Sequence, residues 1–77
     1  MENRYLIFFD ISSGRRLRTT IPAREVRLVG GQLRDNDGQV IANKSGDGHP
    51  WVLNRWVLNR LDSPDLVGDA FDDYRFE

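Results

Sequence analysis

The chain has 77 residues, no cysteine, a single histidine and a formal net charge of −1. That allows one small domain and excludes disulfides, cysteine-based zinc sites and thiol chemistry. A hydrophobic fraction of 39% beside 30% charged residues is too apolar for a disordered chain.

The first apolar run, residues 5–11, is rich in aromatic and β-branched side chains and reads as a strand. It is too short for a membrane span or the apolar region of a secretory signal, so the expectation is a cytoplasmic protein. Ser12-Ser13-Gly14 is a turn signal. Residues 16–21 then alternate, with Leu17, Thr19 and Ile21 on one face and Arg16, Arg18 and Thr20 on the other, which is the half-buried strand pattern. These segments form a hairpin, and Pro22 ends its second strand. Residues 24–33 read as a third strand with Val26 and Leu28 on one face and Gly30-Gly31 as a bulge or bend. Asp35-Asn36-Asp37-Gly38 is the strongest turn signal and places a second hairpin around it. Its likeness to a calcium loop fails, because Gly is fourth rather than sixth and the twelfth position is Gly46.

His49-Pro50 opens an expected helix over residues 50–61, since proline suits the first helical position. Ser63-Pro64-Asp65 repeats the capping logic, giving either a short helix to about residue 73 or an irregular acidic tail. The expected fold class is therefore α+β: a twisted antiparallel sheet of three to four strands packed by one helix, with residues 62–77 as a short acidic helix or tail. The expected core is Leu6, Phe8, Leu17, Ile21, Val26, Leu28, Val40, Val52, Trp56 and Leu61. An all-β barrel with residues 51–61 as a strand is the alternative.

Residues 51–60 are Trp-Val-Leu-Asn-Arg written twice. Five residues turn a helix by about 500° and leave the copies about 140° apart, and in a strand an odd repeat puts them on opposite faces. As a helix the segment is apolar over most of its circumference, more than one sheet covers. Trp51 and Trp56 are thus either core, a homodimer contact, or a site for another macromolecule.

Charge is uneven along the chain. Residues 1–60 hold ten Arg/Lys against six Asp/Glu, a net +4, and residues 61–77 hold Arg75 against six acids, a net −5. The leading functional expectation is a non-enzymatic protein-binding accessory or inhibitor module, of the size common among phage and mobile-element products. Trp51, Trp56 and the acidic aromatic segment (Asp65, Asp69, Phe71, Asp72, Asp73, Tyr74) would meet a protein partner such as a basic nucleic-acid-handling protein. The alternative is a nucleic-acid-binding sheet using Arg15, Arg16, Arg18 and Arg27, with Tyr5, Phe8 or Phe9 stacking on bases. No cofactor and no metal site is expected. His49 has no partner constellation for nucleophilic catalysis, and Gly46-Asp47-Gly48 lacks the residues of a phosphate loop.

Overall fold

The computed structural model describes residues 3–62 and 69–77. The described residues form eight short strands: β1 (Tyr5–Phe9), β2 (Arg16–Pro22), β3 (Arg27–Val29), β4 (Gln32–Arg34), β5 (Val40–Lys44), β6 (Trp51–Leu53), β7 (Ala70–Phe71) and β8 (Asp73–Phe76). They make two antiparallel sheets, one ordered β2-β1-β8 and one ordered β3-β4-β5-β6-β7. Two 3₁₀ turns, Ala23–Glu25 and Arg55–Arg60, are the helical elements among the described residues.

Three hairpins follow from local turn chemistry. In the β1–β2 hairpin Leu17, Thr19 and Ile21 point inward, and the turn closes with Asp10 N–H on the Arg15 carbonyl at 2.8 Å and Gly14 at φ 74°. In the β4–β5 turn the Asp35 carboxylate accepts the N–H groups of Asp37 and Gln39, both at 2.9 Å, an Asx-type closure. Between them the expected third strand is split: Gly30 at φ 59° and Gly31 form a turn, so β3 and β4 pair with each other. Gly31 also lies so close to β5 that a Cβ there would sit 2.5 Å from the Lys44 carbonyl oxygen.

The α+β expectation is corrected by the segment that carried it. Among the described residues there is no α-helix to pack on either sheet. Pro50 precedes strand β6, where Trp51 and Leu53 point inward and Val52 outward. The alternation pairs this stretch with β5, Lys44 opposite Trp51 and Ala42 opposite Leu53, and so satisfies its backbone without a helix. Asn54 then takes an extended conformation, its side chain accepts the Arg55 N–H at 2.8 Å, and the second copy of the pentapeptide winds into the 3₁₀ turn. The start of the expected C-terminal helix or tail, residues 63–68, lies outside the described residues, and the rest of that segment is corrected. Its described part, residues 69–77, carries β7 beside β6 and β8 beside β1.

The core between the sheets is Leu6, Phe8, Leu17, Ile21, Leu33, Ile41, Ala42, Trp51, Leu53, Val57 and Phe71. Four of the expected core residues sit in it, and Val26, Trp56 and Leu61 pack partly buried against it. Leu28 and Val52 are instead exposed, at 60% and 42%: one lies on the edge strand and the other on the outer side of β6. Buried Thr19 donates to the Leu6 carbonyl at 2.8 Å and accepts from Ile21 N–H at 3.1 Å, so its hydroxyl is satisfied. Among the described residues no helix is long and apolar enough to cross a membrane.

Candidate nucleic-acid interface

Strand alternation decides what the three-stranded sheet shows on its outer side. With Leu6 and Phe8 inward, β1 turns Tyr5, Ile7 and Phe9 outward. On one flank β2 presents Arg16, Arg18 and Thr20. On the other, β8 presents Asp73 and Arg75, with Glu77 continuing the pairing through two backbone bonds to Tyr5, at 2.7 and 3.0 Å. A fourth column comes from the residues after the 3₁₀ turn: Leu61 bridges Thr19, and Asp62 N–H donates to the Arg18 carbonyl at 2.9 Å, placing Arg60 and Asp62 beside Thr20 and Arg18.

The outcome is an aromatic stripe capped by cations. The Arg18 guanidinium lies 5.7 Å from the Tyr5 ring centroid and that of Arg75 lies 5.0 Å from Phe9, both within cation–π range. Ile7, opposite both arginines across the strands, is 1% exposed although it points away from the core. Arg18 and Arg75, its cross-strand neighbours on either side, have stems long enough to cover it. Arg16 and Arg75 both pair with the Glu77 carboxylate. Arg60 bonds Thr20 twice, at its hydroxyl (3.3 Å) and its carbonyl (3.4 Å). All of these charges are solvent-exposed, so each pair contributes only about 0–1 kcal/mol and exchanges readily.

Of the four arginines that the sequence nominates, Arg16 and Arg18 share this face. Arg15 does not. It donates to the Asp10 carboxylate at 2.8 Å and to the Ala70 carbonyl at 2.7 Å and lies 4.3 Å from the Phe71 ring centre. Arg27 is exposed on β3, opposite Arg34 in the other sheet. Phe8 is core, so of the three aromatics that the sequence nominates only Tyr5 and Phe9 lie on this face. Sequence reasoning missed Arg75 and Arg60. The alternation in Asp73-Tyr74-Arg75-Phe76 was the available signal for Arg75.

The residues nominated for a protein partner are dispersed. Trp51 is buried with the Tyr74 ring edge-on at 5.4 Å, and Trp56 is half-buried with its indole N–H on the Val40 carbonyl at 2.7 Å. Phe71 is core. The Asp72 carboxylate accepts Ile11 N–H at 3.0 Å, while its own N–H donates to Asp10 at 3.0 Å. Asp73 accepts the Tyr74 N–H at 2.8 Å, Asp69 is exposed, and Asp65 lies outside the described residues. Burial first, and the neighbouring Asp73 charge second, hold the Tyr74 hydroxyl above its ordinary pKa of 10.0. Among the described residues no group of three or more His, Asp or Glu side chains is placed to hold a metal ion. Comparison of the chain with protein-family models, with curated proteins and with solved structures gave no match.

Proposed function

We propose that the outer face of the β2-β1-β8 sheet binds single-stranded nucleic acid. The observation that carries this reading is the pair of aromatic rings on the centre strand, Tyr5 and Phe9, each with a guanidinium over it and further arginines on the flanks. Every base has a π-face, so the two ring–guanidinium pairs, about 13 Å apart along the strand, offer stacking platforms for two non-adjacent bases with little regard to sequence, at about 1–3 kcal/mol per base. The guanidinium groups of Arg16, Arg18 and Arg75 supply phosphate contacts. A carboxylate already sits between Arg16 and Arg75, so this part of the face accepts an anion. The protein as a whole carries −1, so affinity rests on these local contacts rather than on long-range attraction.

The test is fluorescence anisotropy with labelled thymidine and uridine strands of about ten nucleotides, within the usual site size for such faces. Binding is expected at low salt, with loss in the R16A/R18A double variant and in Phe9→Ala. Absence of binding to every single strand at low salt overturns the reading.

A second reading, a protein partner, has one observation behind it. Edge strand β3 is exposed along its whole length, with Leu28 at 60% and Val29 at 49%, which suits strand addition. Under that reading Val29→Lys blocks partner capture and leaves nucleic-acid binding unchanged.

A further inference from the structure

A hollow of about 260 Å³ opens at one end of this face, lined by Tyr5, Arg18, Thr19, Thr20 and Asp62. It is smaller than the roughly 300–1,000 Å³ of sites that enclose drug-sized ligands, so it suits one flat heterocycle rather than a longer segment. Tyr5 supplies an aromatic wall with the Arg18 guanidinium over it. The two threonines supply walls but little free hydrogen-bonding capacity. Thr19 bonds Leu6 and Ile21, and Thr20 donates to the Arg60 carbonyl at 3.1 Å while accepting from Arg60 Nε. Asp62 differs. Its N–H is fixed on the Arg18 carbonyl, whereas among the described residues its carboxylate makes no hydrogen bond or ion pair. The hollow thus pairs a stacking surface with one acceptor-only group whose backbone is anchored.

An acceptor-only carboxylate discriminates among bases by their donor pattern. Guanine presents two adjacent donors, N1–H and the N2 amine, which match both carboxylate oxygens. Adenine and cytosine set a ring acceptor beside their amine, and uracil and thymine flank their single N–H with carbonyls, so each brings a lone pair against Asp62. We infer that this hollow is a guanine-selective subsite of the strand-binding face, with the base stacked against the Tyr5–Arg18 pair and its Watson–Crick edge on the Asp62 carboxylate. The inference rests on the reading of the face as a single-strand binder and adds base preference to it.

The test compares a thymidine strand carrying one central guanine with strands carrying inosine, adenine or thymine at that position, on the wild type and on Asp62→Asn. The guanine strand is expected to bind the wild type about 5- to 100-fold tighter than the adenine strand, the range for one bidentate base contact. Inosine, which lacks the N2 amine, is expected to lose most of that gain. Asp62→Asn is expected to lose the guanine preference while binding the all-thymidine strand at least as well as the wild type, because a surface anion has been removed. Equal binding of guanine and adenine strands by the wild type, or a guanine preference that persists in Asp62→Asn, overturns the subsite. In either case binding of the all-thymidine strand leaves the strand-binding reading standing, whereas failure of all strands removes that reading itself.

Discussion

Arg15 and Arg16 are adjacent and chemically identical, yet the structure uses one as a latch and the other as surface. The Arg15 guanidinium ties Asp10, the Ala70 carbonyl and the Phe71 ring together, and Asp10 and Asp72 exchange bonds with the backbone across the same junction. This set joins the β1–β2 hairpin to the point where the chain crosses from β7 to β8. Hydrogen bonds to charged groups contribute about 1.5–3 kcal/mol when partly buried, so Arg15→Ala is expected to cost about 1–3 kcal/mol. Arg16→Ala is expected to stay within about 0.5 kcal/mol. Urea midpoints of the two variants decide it, and equal midpoints contradict the latch. Nothing in a run of arginines distinguishes these roles, because apart from Asp10 the deciding partners, Ala70, Phe71 and Glu77, lie more than fifty positions away. Tyr74 gives a second expectation at this scale. Its folded pKa lies above the unfolded 10.0, so the folded state keeps a proton that the unfolded state releases. The associated stability is fully present below pH 10 and falls above it. Urea midpoints of the wild type are therefore expected to decline above pH 10 more steeply than those of Tyr74→Phe.

At the scale of elements, the doubled pentapeptide is an internal control for context. Identical sequence forms strand β6 in its first copy and a 3₁₀ turn in its second, so intrinsic propensity cannot have decided between them. Burial is exchanged between copies: Leu53 is 6% exposed and Leu58 47%, while Val52 is 42% exposed and Val57 fully buried. The rule that an odd repeat forbids one shared face assumes a single continuous element; here the copies fall in different elements, and Trp51 is in the core while Trp56 packs partly buried against it. The helical reading fails because β5 offers the first copy a partner strand, and that pairing is not visible in a local window. By contrast, the two hairpins around Gly14 and Gly38 were legible, since their turn residues and flanking alternation act locally. The candidate face was legible in part for the same reason: period two in β2 places Arg16 and Arg18 together, while Arg75 and Asp62 join them only through long-range pairing. The repeat also gives a matched pair of variants. Leu53→Ala is expected to cost about 2–5 kcal/mol as a core truncation, and Leu58→Ala less than about 0.5 kcal/mol. Similar thermal denaturation of the two would contradict the different environments assigned to the copies.

For the molecule as a whole, the −1 net charge conceals a distribution that folding rearranges. The acidic end does not trail from a basic body. Its described residues 69–77 are drawn into β7 and β8, and Glu77 comes to rest against Arg16 and Arg75. The proposed strand-binding face therefore carries its own competing anion, and phosphate has to displace it. Since exposed pairs contribute only about 0–1 kcal/mol each, the competition is weak, and Glu77→Gln is expected to tighten binding of a thymidine strand about two- to tenfold at low salt. With Arg16, Arg18 and Arg75 as the phosphate contacts, the logarithm of affinity is expected to fall with the logarithm of salt at a slope of about −2, from roughly 0.7 per contact on single strands. Titrations across a salt series on wild type, Glu77→Gln and R16A/R18A separate two roles for the carboxylate. If Glu77 only occupies the anion position, Glu77→Gln gains affinity and keeps or steepens the slope. Weaker binding by Glu77→Gln would show that the carboxylate holds the arginines in place for the strand, and the displacement argument would fail.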